Sequence, residues 1–189
     1  MIRDLVIKNR SYRRFYQDEK IDRKTLTELV DLARMSASAG NQQPLKYMLS
    51  CEPEKNSLIF PHIAWAGALA DWDGPVEGER PSAYIAVLGD KQIAERFGVD
   101  HGIAAQSILL GAVEKGLGGC MLMAIKREHI CKVLGISEQY SLLMLIALGK
   151  PREKVVLEEY IPPANIKYWR DEEQVHHVPK RKLEDIIIG

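Results

Sequence analysis

One segment of this sequence, residues 102–115, predicts a helix that is apolar on nearly every side. Its polar residues are Gln106, Ser107, Glu114 and Lys115. A helix without a polar face belongs in the middle of a molecule or in an interface, because no side of it suits water. A chain of 189 residues can bury a sizeable core. The segment therefore predicts a fold built around this helix, and a small monomer would struggle to cover it, so we expect a homodimer.

Several strands and further helices are predicted around that segment. Leu26, Leu29 and Ala33 recur at helical spacing behind Asp22, a plausible N-cap. Asp100 is an expected cap for the central helix, and short helices are expected at "KREHICKVLG" and around "IAWAGALADW". The predicted strands are "KYMLSCE", "AYIAVLG", "GCMLMAI", "LLMLIALG" and "LEDIII". Because helices and strands do not alternate strictly, we predict an α+β fold with residues 1–189 forming a single domain.

Charge and cysteine content narrow the classes of function. The 26 basic and 26 acidic residues give a formal net charge of zero, which argues against a general affinity for nucleic acid or anionic membranes. Three cysteines without metal-ligand spacing fit a reducing compartment. The N-terminus lacks the features of a signal peptide, and no apolar run reaches membrane-spanning length. We expect a cytoplasmic protein.

Three local motifs are more typical of packing and helix capping than of ligand binding or catalysis. In "GLGGC" the order is helix, glycines, strand, which favours a helix C-cap over a dinucleotide-binding loop. His176 and His177 point opposite ways on an extended chain and make a poor metal site, so none is predicted. The cysteines lie in apolar surroundings that favour packing. Trp65 and Trp72 either pack in the core or line a pocket, and the sequence leaves both open.

Basic clusters lie near both ends of the chain. "NRSYRRF" brings Arg10 and Arg13 close to Ser11, and "PKRKLEDII" contains Lys180 and Lys182. Forked guanidinium donors with a hydroxyl suit a phosphate monoester. Taken singly, each cluster is more typical of a solvated charged surface.

The stretch "SASAGNQQPLKY" leaves a predicted helix through small and amide-bearing residues. Ser38, Asn41 and Gln43 offer hydroxyl and amide groups that can satisfy ring nitrogens and carbonyls of a flat heterocycle. Gly40 allows the backbone to approach such a ligand closely. A plain helix-to-strand connection ending at Pro44 is the alternative.

Taken in order, "RSYR", "SAGNQQP", "AAQSILLGAVEKGLGG" and the terminal basic segment resemble the nitroreductase family of FMN-dependent oxidoreductases. The resemblance covers nearly the whole chain. It implies a homodimer with a central, mainly antiparallel sheet flanked by helices. It also implies a long buried helix at the dimer interface and two FMN sites shared between the subunits.

The resemblance assigns ten residues to the cofactor site: Arg10, Ser11, Arg13, Ser38, Asn41, Gln43, Met123, Ala124, Lys180 and Lys182. Residues near the two ends of the chain are implied to hold the phosphate and ribityl chain, with Arg13 against the pyrimidine ring. The loop after the second helix reaches the flavin, usually from the partner subunit. Met123 and Ala124 pass the flavin N5 edge with their backbone. Two positions depart from the family pattern: Ala37, often proline, and Met123, often acidic.

The activity implied by the resemblance is NAD(P)H-dependent oxidoreduction. NADH or NADPH would deliver hydride to flavin N5, and an electron-poor acceptor such as a nitroaromatic or quinone would then take its place, giving ping-pong kinetics. A guanidinium such as Arg13 would favour the reduced anion. The scheme demands no catalytic acid or base, and none is assigned. The alternatives are a protein that consumes reduced flavin or binds FMN without turnover, and a helical interaction protein without a cofactor.

Overall fold

The computed structural model describes residues 1–189, which form five helices and eight strands. The helices are α1 (Ile2–Lys8), α2 (Arg23–Arg34), α3 (Pro53–Ile59), α4 (Asp100–Glu114) and α5 (Arg127–Leu134). The strands are β1 (Phe15–Tyr16), β2 (Leu45–Ser50), β3 (Ala83–Asp90), β4 (Gly118–Leu122), β5 (Tyr140–Pro151), β6 (Val155–Glu159), β7 (Trp169–Arg170) and β8 (His176–Lys180). None of the helices has the length and apolarity needed to cross a bilayer.

The central sheet is antiparallel throughout. Strand β3 pairs with β2 on one side and β5 on the other, and β5 also pairs with β4 and, at its end, with β1. Every residue of β3 is buried, because the strand lies inside the sheet and side chains alternate between two covered faces. This architecture confirms the predicted α+β fold with a mainly antiparallel sheet.

Helices cover both faces of this sheet. Ile85 and Val87 pack on one face against α2 and α4, in a core that contains Leu29 and Ile108. Tyr84 and its same-face neighbours pack on the other face with residues of α3 and α5. The two cores give three layers, helix, sheet and helix, each held by apolar burial.

Helix α4 lies on the central sheet, as its composition predicts. Ala105, Ile108 and Ala112 are fully buried. The helix ends at Glu114 and is followed by Gly116, whose φ of 72° is left-handed, and the Leu117 N–H donates to Ala112 O at 2.8 Å. That pattern is a glycine C-cap and confirms the structural interpretation of the "GLGG" segment.

A second, three-stranded sheet was not predicted as such. Strand β8 lies in its middle, parallel to β6 and antiparallel to β7. These strands are short and mix charged, aromatic and β-branched residues, so neither hydrophobic alternation nor a turn motif marks them clearly. The sheet matters because β8 carries His176 and Lys180.

Two predicted elements are wrong. "LEDIII" is a 3₁₀ turn at Leu183–Asp185 followed by exposed isoleucines, because no strand of this chain lies beside it to pair with. The expected helix around "IAWAGALADW" is a series of turns in which Ala66 has a φ of 37°. The helix begins earlier, where Pro53 occupies its first position.

Candidate active site

A cleft of about 320 Å³ lies between the N-terminal segment and strand β8. Its lining includes the cations Arg10, Arg13 and Lys180, and no carboxylate. Ser11 is also part of the wall. The fold therefore brings together four of the ten residues predicted to bind the cofactor, from opposite ends of the chain, in a cleft suited to an anion.

Arg10 is anchored by the helix that precedes it. Its Nη2 donates to the Val6 carbonyl at 2.6 Å, and its Nε is buried without a hydrogen-bond partner. Ser11, the next residue, forms a backbone bridge with Gly119 of β4. Helix α1 and β4 thus fix the two ends of this basic segment, and an unpaired donor remains beside the cleft.

The side chain of Arg13 is held against the wall of the cleft. Its Nη1 donates to the Ser11 carbonyl at 3.1 Å and lies 3.4 Å from Nε2 of His176. Its guanidinium carbon is 4.7 Å from the centre of the Tyr168 ring, within the range of a cation–π contact. Arg13 is only 9% exposed, so these contacts fix its charge in one place.

A buried carboxylate fixes the backbone at Arg13. The side chain of Glu153 is 1% exposed and accepts hydrogen bonds from the backbone N–H groups of Arg13 and Arg14. Its other oxygen lies 2.8 Å from Nη2 of Arg170, a residue of β7. Glu153 therefore ties the N-terminal segment to the C-terminal sheet that forms the opposite wall of the cleft.

His176 was not predicted as a site residue, yet it lines this cleft. Burial, together with the charges of Arg13 and Arg170, lowers its pKa to about 4, so its ring is neutral at pH 7. His176, Val178 and Lys180 all line the cleft. Their spacing of two is the strand period, and it could have linked His176 to Lys180 in the sequence.

The loop of residues 36–43 lines a different, smaller cavity of about 140 Å³. Asp100, at the start of α4, accepts hydrogen bonds there from the Ser38 hydroxyl at 2.6 Å and the Ala39 N–H at 3.1 Å. The expectation that Asp100 caps α4 is wrong, since Val99 is the N-cap residue and the Asp100 side chain bonds the loop instead. Burial, with Asp100 nearby, raises the pKa of Tyr47 in this cavity to about 12.

Within the loop, polar groups satisfy one another. The Ser38 hydroxyl accepts the Gln43 N–H at 2.9 Å, and the Gln43 amide donates to both the carbonyl and the side-chain oxygen of Asn41. Gly40, Asn41 and Gln43 all have left-handed φ values, of 56°, 53° and 51°. Two non-glycine residues in that region mark a backbone held by its surroundings.

The two cavities lie on opposite sides of α4. Asp100 and Ala104 line the cavity beside the loop, whereas Gln106 and Leu109 line the cationic cleft. At about 100° per residue these pairs point in roughly opposite directions from the helix axis. Ser38 and Gln43 are therefore not brought together with Arg10, Arg13 and Lys180 inside one chain.

The remaining predicted site residues lie outside the lining of the cationic cleft. Met123 is half exposed just after β4, two residues beyond Met121, which lines the cleft. The neighbouring Ala124 carbonyl accepts the Ala64 N–H at 2.9 Å. Lys182 does not line the cleft, and its Nζ lies 3.6 Å from a Glu159 oxygen.

Trp65, Trp72 and the three cysteines pack in or against the two cores. Trp65 is 6% exposed in the core, and the Trp72 ring lies 4.3 Å from the Arg170 guanidinium. Neither lines the cationic cleft or the loop cavity. Burial raises the pKa of all three cysteine thiols, which disfavours the reactive thiolate.

Known proteins resemble this chain in sequence and in fold. The sequence model described as the nitroreductase family matches residues 7–150. An NADH dehydrogenase of Thermus thermophilus is 22% identical over 192 residues, which cover 87% of this chain and 93% of that protein. A nitroreductase family protein of Streptococcus pneumoniae TIGR4 superimposes with a TM-score of 0.71 at 15% identity, with 100% of both chains covered. An FMN-dependent nitroreductase of Clostridium difficile R20291 has a TM-score of 0.63 at 22% identity, covering 82% of this chain and 89% of that one.

Proposed function

The chain belongs to the nitroreductase family, and on that premise we propose that it is an FMN-dependent oxidoreductase. Its electron donor is NADH or NADPH, and its acceptor is a nitroaromatic, a quinone or a similarly electron-poor compound. Residues 1–189 act as one FMN-binding domain of a cytoplasmic homodimer. The names of the relatives support this proposal, since they include an NADH dehydrogenase and an FMN-dependent nitroreductase.

The observation that carries the proposal is the composition of the cationic cleft. Arg10, Arg13 and Lys180 line it together with Ser11 and without a carboxylate, and Arg10 Nε has no protein partner. A phosphate monoester offers oxygens that need donors of this kind. The residues present therefore fit the phosphate and hydroxylated chain of FMN.

The protein's contribution is to bind, orient and tune the cofactor. When bound, FMN supplies the two-electron transfer chemistry. Arg10, Ser11 and Lys180 would hold its phosphate and ribityl chain. Arg13, whose charge is fixed in the cleft wall, would lie against the pyrimidine side and favour negative charge there.

The other half of the site comes from a second copy of the chain. The loop of residues 36–43 and the cationic cleft lie on opposite sides of α4. Ser38, Asn41 and Gln43 would therefore meet the flavin only across a dimer interface. Met123 and Ala124 offer their backbone at the end of β4. Lys182, paired with Glu159 outside the cleft, contributes less than Lys180.

Donor and acceptor would occupy one position beside the cofactor in turn, because no separate nicotinamide-binding domain is visible. Initial-rate plots at several fixed concentrations of the acceptor should accordingly be parallel, as ping-pong kinetics requires. Intersecting lines would contradict the shared position.

A visible absorption spectrum tests the function directly. The purified protein is placed under argon, and NADH and then NADPH are added. We expect a flavin spectrum that bleaches with at least one of them and recovers when a quinone or nitroaromatic is supplied. Flavin that binds and never bleaches would favour the alternative, a protein that binds FMN without NAD(P)H turnover. A colourless protein that cannot be reconstituted with FMN would refute the proposal.

A further inference from the structure

Hydrogen bonds to protein groups involve only one of the three nitrogens of the Arg13 guanidinium. Nη1 has two neighbours, the Ser11 carbonyl at 3.1 Å and His176 Nε2 at 3.4 Å. No protein acceptor bonds Nε or Nη2 of Arg13, and neither belongs to the buried atoms that lack a partner. One nitrogen is thus anchored, and the remaining donors stay free at the wall of the cleft.

The contact with Arg13 fixes the position of the proton on His176. A guanidinium can only donate, so Nε2 of the imidazole has to present its lone pair and the ring proton has to lie on Nδ1. Nδ1 is buried without a partner in the structure. Leaving the Nδ1–H donor buried without a partner costs free energy. That cost is the consequence of the only neutral tautomer in which Nε2 can accept from Arg13.

The surroundings of His176 keep the ring neutral. Arg13 faces it from the N-terminal segment, Arg170 from β7, and Tyr168 lies beside it with ring centres 5.2 Å apart. His177 is the adjacent titratable group on β8 itself. No carboxylate bonds the imidazole, and burial adds to the two arginine charges in lowering its pKa to about 4. The acceptor lone pair therefore persists across the physiological range.

We propose that His176 is a positioning residue for Arg13: its neutral imidazole accepts from Nη1 and so turns the free donors of the guanidinium into the cleft. The proposal rests on the proposed function, because the ligand that receives those donors is the flavin. It goes further by naming a residue that sets, through Arg13, how strongly the reduced cofactor is stabilised.

The first test needs no flavin chemistry. Nitrogen chemical shifts of the His176 ring are measured by NMR on the purified protein at pH 7, and then on Arg13→Met. We expect a protonated Nδ1 and an unprotonated Nε2, and we expect the pKa of His176 to rise in Arg13→Met because a facing positive charge is gone. A proton on Nε2, or a pKa that does not respond to Arg13, would overturn the proposal. These shifts decide the contact even if the protein takes up no FMN, a result that would refute the proposed function separately.

The second test measures the reduction potential of bound FMN in two variants. His176→Phe keeps an aromatic ring and removes the acceptor, whereas His176→Gln keeps an acceptor oxygen. For His176→Phe we expect reduced FMN to bind about tenfold more weakly relative to oxidised FMN, which lowers a two-electron potential by about 30 mV. His176→Gln should recover at least half of that shift. An unchanged potential in His176→Phe would overturn the proposal, and so would equal shifts in both variants, since these would indicate a packing role.

Discussion

At the scale of single residues, Glu153 has an influence on the cleft that its sequence position hides. Its carboxylate lies under the backbone of Arg13 and Arg14 and pairs with Arg170 across the cleft. A buried ion pair of this kind does not by itself raise stability, because desolvation offsets its attraction. Its removal is nevertheless costly, since it leaves a buried guanidinium and two N–H groups without acceptors.

Replacing Glu153 should therefore destabilise the fold strongly. We expect Glu153→Ala to lower the free energy of unfolding by about 3–5 kcal/mol, the usual cost of breaking a buried pair from one side. Denaturant unfolding measures the difference. Glu19→Ala is the matched control, because Glu19 pairs with Lys150 on the surface at 2.9 Å and such pairs contribute about 1 kcal/mol or less. Equal effects of the two substitutions would contradict the role given to Glu153.

The cationic cleft makes a prediction about flavin binding. Arg10→Ala combined with Lys180→Ala should weaken FMN binding by at least about a hundredfold, since each charge-assisted hydrogen bond contributes about 1.5–3 kcal/mol. Both side chains serve the phosphate in the proposal, so the melting temperature of the flavin-free protein should change little. Fluorescence titration with FMN gives the affinity, and Lys150→Ala, on the surface, is the control. Full FMN occupancy in the double variant would rule out this assignment.

At the scale of elements, the loop of residues 36–43 is fastened to the start of α4. Asp100 is 4% exposed and accepts from Ser38 and Ala39, and Ser38 in turn accepts from Gln43. The chain of bonds holds residues with left-handed φ values that a free loop would rarely populate. The hydroxyl of Ser38 therefore helps to hold the conformation of the loop, a role that the sequence does not reveal.

Removing the Asp100 carboxylate should release the loop. In Asp100→Ala we expect the backbone amides of residues 39–43 to exchange with solvent at least about tenfold faster, because the anchoring acceptors are lost. Hydrogen exchange read by mass spectrometry or NMR measures this. Asp31→Ala is the control, since Asp31 pairs only with Arg34 on the surface of α2. Unchanged protection in Asp100→Ala would mean that packing alone shapes the loop.

His177, on strand β8, should make the stability of the fold depend on pH. The two ring nitrogens of His177 lie 3.0 Å from Glu158 and 3.0 Å from Asp171, an arrangement that favours the imidazolium, because both of its nitrogens can donate to carboxylates. Hydrogen bonding to Asp171 and then Glu158 raises its pKa. A raised pKa stabilises the fold fully below the unfolded value, about 6.5, and this contribution is lost as pH rises through the folded value.

The unfolding free energies of the wild type and His177→Phe should therefore differ more at pH 6 than at pH 9. Phenylalanine retains the stacking of this ring on Trp169, whose centre is 4.1 Å away, and removes only the charge and its hydrogen bonds. Denaturant unfolding of both proteins at the two pH values gives the comparison, and other titrating groups cancel in the difference. A gap that does not vary with pH would mean that folding leaves the pKa of His177 unchanged, which would contradict the prediction.

The elements that the sequence predicted share a physical property. Strands β2 to β5 and helices α2 and α5 have strong local patterns, and α4 is apolar on nearly every side, because all of them pack in or against the two cores. The second sheet and the role of Asp100 depend on partners far away in the chain, and no local period reports them. "LEDIII" has the composition of a strand, but a strand also needs a neighbour, and the isolated chain provides none there.

The residues of the candidate site also differ in how far a local sequence motif predicts them. Arg10, Ser11 and Lys180 carried a local chemical signal, and they share the cleft. Lys182 carried the same signal, yet it pairs with Glu159 instead. The sequence shows His176 only as a poor metal ligand, because its contact with Arg13 joins residues that are 163 positions apart in the chain.

At the scale of the whole molecule, α4 both fills the core and separates the loop cavity from the cationic cleft. Its inner residues are fully buried, yet Ile103 on the same helix is 38% exposed and Val99 just before it is 71% exposed. These two residues are one turn apart, so they lie on one side of the helix. They form an uncovered apolar strip beside both the loop cavity and the cleft. A second copy of the chain would have to bind at this strip for the loop to reach the flavin.

Ile103→Glu should therefore weaken dimerisation and flavin binding together. A charge buried in an apolar interface costs enough to raise the dimer dissociation constant by on the order of a hundredfold. Sedimentation velocity measures the oligomeric state, and the absorption spectrum of the same sample measures FMN content. Val76→Glu, at a valine that is 65% exposed outside α4, is the control and should leave both unchanged. A monomeric Ile103→Glu that retains full FMN would mean that one chain completes the site alone, because the cationic cleft would then hold the cofactor without the partner's loop. A variant that stays dimeric would mean that the interface lies elsewhere, and the exposed strip on α4 would need another explanation.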